Sequence, residues 1–294
     1  MFRWVLVGGL FVLNILIFSV PVPHGLSVSF LDVGQGDAVL IEGPTGVQVL
    51  IDGGAGRDVL RELGSTLSFF DRTLDAVVAT HPDQDHIGGL SDVLSRYKVG
   101  TFLESGVAAD TPEAGALEDA LTRDGVTRVV ARRGMHFTLG AGAYADILLP
   151  DRDVSGVEAN TGSVVIRVVY GDTSFMLSGD APSSIERYLV LLSTPCATPQ
   201  CATPRCCTLG ADVLKAGHHG SKTSSDEGFV RAVAPTYVVF SRGCNNRYGH
   251  PSPEVVLLFR ELNIPMYDTC ENGTITFRSD GKTLTVSSAA VAGI

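Results

Sequence analysis

The sequence predicts a mixed α/β (α+β) domain in which two β-sheets pack face to face and helices cover their outer faces. Three observations predict this fold. Short β-like apolar runs are broken by glycine and turn residues, helical patterns occur between the runs, and no linker divides the chain after residue 25. The length of 294 residues fits one large domain or two small ones with a substantial buried core.

Composition excludes several classes of protein. With 45% hydrophobic and 18% charged residues, the chain is not mainly disordered, and a net charge of −10 excludes a histone-like basic protein. One stretch alone is apolar enough to span a bilayer, so a polytopic membrane protein is also excluded.

That stretch runs from Trp4 to Val22, 19 residues without a formal charge, after Arg3. At 1.5 Å per residue a helix of this length reaches about 28 Å, close to the hydrocarbon thickness. We expect residues 1–24 to be a membrane anchor or signal segment, with the rest of the chain extracytoplasmic, or secreted if the segment is cleaved. A proline at position 21 favours the anchor, and a buried strand or core helix is the alternative.

The remaining elements follow in order. Strands at 26–31 and 38–41 are joined by the turn Asp32–Asp37, and a third strand, Val47–Ile51, ends in Asp52-Gly53-Gly54. Next come a helix and a strand at 74–79. The helix is predicted from its apolar residues Val59, Leu60, Leu63 and Leu67. Helices are predicted near 87–97 and 113–124, and strands near 126–131, 144–149, 163–170 and 173–178. The last part contains a strand at 211–215, a helix at 226–233, a strand at 236–241, a helix at 253–262 and a hairpin from 264 to 287.

The cysteines suggest an exported protein. Cys196, Cys201, Cys206 and Cys207 lie in a segment at about 193–208 that nearly repeats itself, whereas Cys244 and Cys270 stand apart. We interpret the segment as a surface insertion within a hydrolase domain of residues 25–294, stapled by disulfides. The 15 possible pairings and a zinc knuckle all remain open.

The strongest chemical signal is His81-Pro-Asp83-Gln-Asp85-His86, directly after a predicted strand. Four potential ligands in six residues would include two carboxylates that repel each other beside an apolar core. A divalent cation removes that repulsion, so the motif predicts a metal site.

Three other strand ends offer partners for this motif. Asp52 precedes two glycines, Asp180 ends the apolar run Met176-Leu-Ser-Gly, and His218-His219 follows the strand at 211–215. A shared strand-end position is difficult to explain as chance, although each residue alone has an ordinary structural explanation.

The order of the motifs along the chain is Asp52, His81–His86, Asp180 and His218. This order resembles that of the metallo-β-lactamase superfamily, whose sites lie at strand ends of a four-layer αββα sandwich. Five segments are similar to the hydrolase domain of ComEC-type competence proteins: Phe30–Asp37, Thr80–Leu90, Asn160–Ser163, Leu177–Asp180 and His218–Lys222. The resemblance covers about residues 26–286 and implies a hydrolase with two divalent metal ions, zinc or manganese, with magnesium as a further option.

The resemblance also implies roles for the motif residues. His81 and Asp83 would bind one ion and Asp85, His86 and His218 the other, with Asp180 between them. Asp52 would orient the motif and accept a proton, and Asp85 would act in catalysis as well as in metal binding. Two positions depart from the superfamily pattern, because Asp83 and Asn160 stand where histidine is usual. The oxygen ligand at Asp83 shifts the expected preference toward manganese or magnesium.

Further residues are expected to contact the substrate. Lys222 and His250 are candidate catalytic residues that bind phosphate or protonate the leaving oxygen, and the expected substrate-binding residues are Asn160, Ser163, His219, Ser221 and Lys222. Residues 205–260 carry a net charge of +3 and the remainder −13, so a polyanion would approach from the side of the fifth motif.

These features predict an extracytoplasmic nuclease or phosphodiesterase acting on single-stranded DNA, as in DNA uptake. Its expected partners are DNA or another phosphodiester, the membrane through the N-terminal segment, and a separate channel protein. A β-lactam, a thioester or a cell-wall phosphodiester is the alternative substrate, and a non-catalytic binding module is the alternative class.

Overall fold

Two stacked β-sheets organise the described residues, 25–193 and 209–289, of this computed structural model. The first sheet has eight strands in the order β15-β14-β1-β2-β3-β4-β5-β6, and the second has seven in the order β13-β12-β11-β10-β9-β8-β7.

The strands of the first sheet are β1 (Leu26–Phe30), β2 (Val39–Glu42), β3 (Gln48–Ile51), β4 (Thr73–Ala79), β5 (Lys98–Glu104), β6 (Thr127–Val130), β14 (Ile275–Ser279) and β15 (Leu284–Ser288). Those of the second are β7 (His136–Gly140), β8 (Ala143–Leu149), β9 (Val165–Tyr170), β10 (Thr173–Leu177), β11 (Val213–Lys215), β12 (Tyr237–Phe240) and β13 (Met266–Asp268).

The helices are α1 (Asp58–Thr66), α2 (Gln84–Ile87), α3 (Leu90–Arg96), α4 (Pro112–Asp124), α5 (Ser183–Ser193), α6 (Glu227–Val233), α7 (Pro253–Glu261) and α8 (Thr269–Asn272). Short 3₁₀ turns occur at Asn160–Gly162 and Gly217–Gly220.

Three apolar cores separate four layers, which confirms the αββα sandwich. Between the sheets, Phe277 of β14 lies edge-on to Phe30 of β1 and to Phe175 of β10, with ring centroids 6.1 Å apart in both pairs. Side chains from α1, α3 and α4 pack on the outer face of the first sheet, and those from α5, α6 and α7 on that of the second. Truncating a buried phenylalanine such as Phe277 to alanine would cost about 3–5 kcal/mol, because the aromatic contact between the sheets would become a cavity.

Strand direction positions the polar residues. Because β3, β4, β5 and β6 run parallel, and β10, β11 and β12 likewise, the carboxyl ends of each group share one edge. We call this the carboxyl edge of the sandwich, and the other end of the first sheet its amino edge. Asp52, His81, Asp180 and His218 all follow strands at the carboxyl edge.

The helix predicted near 87–97 is observed as α3, and Gly88 and Gly89 separate it from the short helix α2. A Cβ atom at either glycine would lie within 2.4 Å of a backbone oxygen of the loop after Asp52, an approach that only glycine permits. The Gly53 amide donates to the His86 carbonyl at 2.7 Å, and the Gly89 amide donates to the Gly54 carbonyl at 3.1 Å. The glycines therefore let the metal motif dock against the loop that follows Asp52.

Several elements differ from the sequence expectation. The helix α5 was not expected, although Ile185, Leu189 and Leu192 have helical spacing. The strand β7 was not assigned either. Residues 266–268 do not form a hairpin with the C-terminal strand: they pair in parallel with β12, because the crossover through α7 returns the chain to the second sheet.

Two sequence expectations lie outside the described residues, namely the anchor or signal segment at 1–24 and, apart from its first residue, the cysteine-rich insertion. Within residues 25–193 and 209–289, no helix is both long and apolar enough to cross a bilayer. The two described cysteines, Cys244 and Cys270, form a disulfide.

Candidate metal centre

The histidine–aspartate motif turns from β4 directly into α2. His81 and His86 are buried, and Asp83 precedes the first turn of α2 without capping it by a side-chain hydrogen bond. The Asp83 carboxylate instead lies 3.7 Å from Nε2 of His81. One short turn thus brings two imidazoles and two carboxylates to the carboxyl edge.

Asp52 supports this motif from behind. It is fully buried, and its carboxylate accepts hydrogen bonds from the Thr80 amide at 2.8 Å, the Thr80 hydroxyl at 2.7 Å and Nδ1 of His86 at 2.8 Å. This assigns the proton of His86 to Nδ1 and leaves Nε2 free to face the centre. Asp52 therefore contacts the motif itself, with both carboxylate oxygens engaged.

The Oδ2 atom of Asp180 faces four imidazoles. Its distances to the Nε2 atoms are 3.2 Å for His86, 3.3 Å for His219, 3.6 Å for His218 and 4.0 Å for His81. His81 and His86 belong to the first sheet and the other two to the second, so the centre lies where the two sheets meet.

A buried lysine holds the other oxygen of Asp180. The ammonium of Lys215, at the end of β11, donates to the Gly179 carbonyl at 3.0 Å and pairs with Oδ1 of Asp180 at 3.3 Å. It also forms a short ion pair with Asp37, in the turn between β1 and β2. The two oxygens of the Asp180 carboxylate therefore have different partners: Oδ1 contacts Lys215, and Oδ2 faces the imidazoles.

The donor atoms fit divalent cations. The Nε2 atoms of His81, His86 and His219 are buried, and none makes a hydrogen bond of acceptable geometry to another described residue. Two atoms bound at about 2.1 Å to one tetrahedral ion lie about 3.4 Å apart, which the distances around Asp180 approach. Four groups of three side chains have donor atoms within 4.8 Å of one another: His81–His86–Asp180, Asp85–His86–His219, Asp37–Asp180–His219 and Asp37–Asp52–His86.

The net charge of the centre also indicates that it binds divalent cations. Among the described residues, five carboxylates accompany one buried ammonium here, so with neutral histidines the net charge is −4; these groups are Asp37, Asp52, Asp83, Asp85, Asp180 and Lys215. Two divalent cations would neutralise this charge, which is costly to leave uncompensated where the carboxylates are buried.

The protonation states reflect the same excess of negative charge. Burial opposes a charged imidazole, but the carboxylates of Asp180 and Asp52 outweigh it and raise the pKa of His86 well above its usual value. Burial alone would raise the pKa of Asp37, but Lys215 and His219 lower it to about 2. For Asp52 burial prevails over His86, and its pKa is raised.

The paired histidines take different places. Both have positive φ angles, 48° for His218 and 55° for His219, in the turn after β11. His219 is buried, its Nδ1 lies 2.9 Å from the Ser241 carbonyl, and its Nε2 lies 3.3 Å from Oδ2 of Asp85. His218, predicted as the ligand, is more exposed, and its Nδ1 lies 3.2 Å from the hydroxyl of Thr223. The structure therefore brings His219, expected to contact the substrate, into the ligand cluster beside His218.

The other predicted residues surround this cluster. The buried Ser163 packs close to Gly179, where an added Cβ would lie 3.3 Å from the Cβ atoms of both Ser163 and Thr80, and its hydroxyl has no hydrogen-bond partner among the described residues. The side-chain oxygen of Asn160, three residues earlier, is also buried without such a partner. The ring of His250 lies 5.8 Å from that of His218.

Ser221 and Lys222 follow the histidine pair. The Ser221 hydroxyl lies 2.9 Å from that of Thr223 and so braces the residue that contacts His218. The side chain of Lys222 is exposed to solvent.

Sequence reasoning did not assign Asp37 or Lys215. Lys215 is the last residue of β11, a strand-end position like those of the assigned residues, whereas Asp37 ends the turn between β1 and β2. A lysine at the end of an otherwise apolar strand was the available signal, because a buried ammonium needs a carboxylate partner.

A second buried carboxylate braces the loop after the histidine pair. The side chain of Glu186, on α5, accepts hydrogen bonds from the amides of Ser225 at 2.9 Å and Asp226 at 2.7 Å. Burial raises the pKa of Glu186 to about 7, although these amide donors oppose the shift.

Comparison with known proteins supports the interpretation. The family model of the metallo-beta-lactamase superfamily matches residues 31–243. Over 277 residues the chain is 29% identical to ComE operon protein 3 of Bacillus subtilis (strain 168), covering 88% of this chain and 34% of that protein. Over 252 residues it is 29% identical to competence protein ComA of Neisseria gonorrhoeae, covering 85% and 32%. The chain thus spans about a third of the length of these curated relatives.

A solved structure agrees with the fold. CmlA, a diiron β-hydroxylase from Streptomyces venezuelae, superposes with a TM-score of 0.55 at 16% identity, covering 88% of this chain and 55% of that one. On the match over residues 31–243 and the αββα sandwich with its histidine–aspartate centre, this chain belongs to the metallo-β-lactamase superfamily and has its metal-dependent hydrolase fold.

Proposed function

We propose that the protein is a metal-dependent phosphodiesterase that hydrolyses single-stranded DNA during DNA uptake. The observation that carries the proposal is the cluster of imidazole Nε2 atoms around Asp180 that form no hydrogen bond of acceptable geometry with the described residues, because such a cluster fits two cations in a hydrolase fold. The resemblance to two competence proteins supports DNA as the substrate.

The residues divide the binding of the ions between them. His81 and Asp83 would hold one ion, Asp85, His86 and a histidine of the 218–219 pair the other, and Oδ2 of Asp180 lies between the two sets. Two divalent ions supply a Lewis acid for the phosphoryl oxygen and lower the pKa of an attacking water. Zinc or manganese, with magnesium as a further option, matches the mixture of imidazole and carboxylate donors.

The protein's own groups would position the DNA. Tyr248 is 53% exposed, and its ring stacks on His250 with the planes at 14° and the centroids 5.6 Å apart. The guanidinium of Arg247 lies 5.0 Å from the centre of the Tyr248 ring. An exposed aromatic ring beside a cation suits a nucleobase and the adjoining phosphate, and His250 links this platform to His218.

We further propose that residues 1–24 tether the domain to the outer face of a membrane, where a separate channel protein would receive the product strand. The apolar run in the sequence and the competence relatives support this arrangement.

The experiment is the hydrolysis of end-labelled single-stranded DNA by the full chain, with and without added Mn²⁺ or Zn²⁺. We expect cleavage that depends on the metal and is lost in Asp85→Ala and His86→Ala. Two matched controls replace exposed residues outside the centre, Asp119→Ala and His136→Ala, and should retain activity.

A parallel assay with nitrocefin tests the alternative substrate. Cleavage of nitrocefin but not of DNA would refute the nuclease proposal. Unchanged metal content and DNA hydrolysis in both Asp85→Ala and His86→Ala would refute the assignment of the centre.

A further inference from the structure

The loop between α1 and β4 exposes two adjacent phenylalanines. Phe69 is 75% and Phe70 89% exposed, and they are the most exposed aromatic side chains in the part of the chain described. Their rings meet edge to face with the centroids 5.2 Å apart, so they form one apolar protrusion. A pair of exposed phenylalanines is costly in water and indicates a binding surface.

The protrusion lies at the amino edge of the first sheet. The strand β4 begins at Thr73, and its far end leads to His81. The seven residues of β4 are separated by six steps of about 3.3 Å, so its two ends are about 20 Å apart. Phe69 and Phe70 therefore lie on the opposite side of the domain from the metal centre.

The chain enters the domain at the same edge. β1 is antiparallel to β2, β2 is antiparallel to β3, and β3 is parallel to β4, so β1 and β4 run in the same direction. Leu26 and Thr73 begin these two strands and share the amino edge. The apolar run Trp4–Val22 ends only three residues before Gly25.

Cationic side chains accompany the aromatic pair. Arg72 places its guanidinium 5.8 Å from the centre of the Phe69 ring. Lys98 pairs with Thr73 in the sheet, Arg96 precedes it by two residues, and all three cations are exposed. The neighbouring Asp71 is engaged by the side chains of Gln48 and Thr73, at 2.9 and 2.8 Å.

We propose that Phe69 and Phe70 insert into the lipid–water interface of the membrane that carries the tether, with Arg72, Arg96 and Lys98 facing lipid phosphates. Apolar side chains bordered by cations are typical of surfaces that lie in this interface. The inference rests on the membrane tether of the proposed function. Its consequence is orientation: the metal centre faces away from the bilayer, toward DNA that arrives from the aqueous side.

The test uses the position of single tryptophans in the full chain. Trp4 is the only tryptophan, so Trp4→Phe supplies a background without that fluorophore. Phe70→Trp then reports on the protrusion, and Tyr248→Trp, an aromatic replacement at the carboxyl edge, is the matched control. Each protein is reconstituted into vesicles of phosphatidylcholine and phosphatidylglycerol, with plain or brominated acyl chains.

We expect brominated lipid to quench the fluorescence of the Phe70→Trp protein strongly, with a shift of its emission to shorter wavelength, and to leave the Tyr248→Trp protein unquenched. Equal quenching of the two proteins, or none in Phe70→Trp, would overturn the proposal. An emission shift in Phe70→Trp without quenching would overturn it in favour of contact with a second protein chain. Failure of the chain to associate with vesicles would also overturn it, whereas loss of DNA hydrolysis alone would contradict only the proposed activity.

Discussion

Replacing Asp52 by asparagine tests how the protein prepares His86 for a cation. The substitution keeps the size of the side chain and one carbonyl oxygen, which can still accept the hydrogen bond from the Thr80 amide. The other position becomes an NH₂ group that faces the Thr80 hydroxyl and Nδ1 of His86, 2.7 and 2.8 Å from the present oxygen. Because burial raises the pKa of Asp52, a neutral asparagine should not unfold the protein.

The expected loss follows from the tautomer of His86. An NH₂ group donates to Nδ1 and so favours the proton on Nε2, the atom that lies 3.2 Å from Oδ2 of Asp180. Before a cation can bind, Nε2 of His86 has to lose that proton, and the new hydrogen bond from the introduced asparagine to Nδ1 has to break. Removing the partner of a metal-binding histidine typically weakens metal affinity by about 10- to 100-fold, or about 1.4–2.7 kcal/mol. We therefore expect Asp52→Asn to weaken binding of one of two ions by this factor.

The assay is competition between the full chain and a fluorescent chelator for Zn²⁺ or Mn²⁺, followed by DNA hydrolysis at saturating metal. If Asp52 acts by orienting His86, saturating metal should restore most of the activity. If Asp52 instead accepts a proton during the reaction, activity should stay low when the metal sites are full. Asp71→Asn is the control, since it makes the same change in a carboxylate that Gln48 and Thr73 engage at the amino edge, away from the centre. Unchanged metal affinity in Asp52→Asn would refute the positioning role.

Three further predictions concern other parts of the structure. Lys215→Met should lower the free energy of unfolding of the metal-free protein by about 3–5 kcal/mol in urea titrations, because Asp37 and Asp180 lose their buried cation; added metal should recover part of this loss, and no change would contradict the ion-pair assignment. Glu186 releases its proton near 4.5 in the unfolded chain and at about 7 in the folded one, so the folded state binds more protons in this range and stability falls as pH rises, by up to about 3 kcal/mol. Glu186→Gln should flatten that part of the profile measured by urea unfolding, and a profile as steep as before would exclude Glu186 as its cause. Tyr248→Ala should raise KM for single-stranded DNA by about 5- to 150-fold, the equivalent of about 1–3 kcal/mol for one stacked base, and leave hydrolysis of bis-p-nitrophenyl phosphate unchanged; equal loss on both substrates would argue against stacking.

Much of the fold and the location of the centre could be predicted from the sequence. Asp52, His81, Asp180 and His218 each follow an apolar strand, and parallel strands bring their carboxyl ends to one edge. The four-layer sandwich follows from the same strands and from helices with one apolar face. Local patterns carry this information, so no knowledge of distant contacts is needed.

The sequence could not show which polar residues face one another across the two sheets. Lys215 and Asp37 are 178 positions apart, and their ion pair exists only because β11 and the turn after β1 meet at the carboxyl edge. The choice between His218 and His219 depends on two positive φ angles in one turn, which no residue type at these positions announces. The strand β13 joins the second sheet because of where α7 returns the chain, not because of its own composition.

The metal centre lies where the two sheets meet, so its geometry depends on contacts that hold the sheets together. His81 and His86 are carried by the first sheet, and Asp180 and His219 by the second, so the donor atoms converge only if the sheets keep their spacing. The phenylalanines between the sheets maintain that spacing through apolar contacts, which do not depend on a cation. Lys215 adds a polar tie at the edge itself, since it bonds to both sheets through Asp37 and Asp180. With this buried ammonium included and the histidines neutral, the net charge of the site is −4, which two divalent ions can neutralise. The same lysine therefore joins the two sheets and sets the net charge of the site.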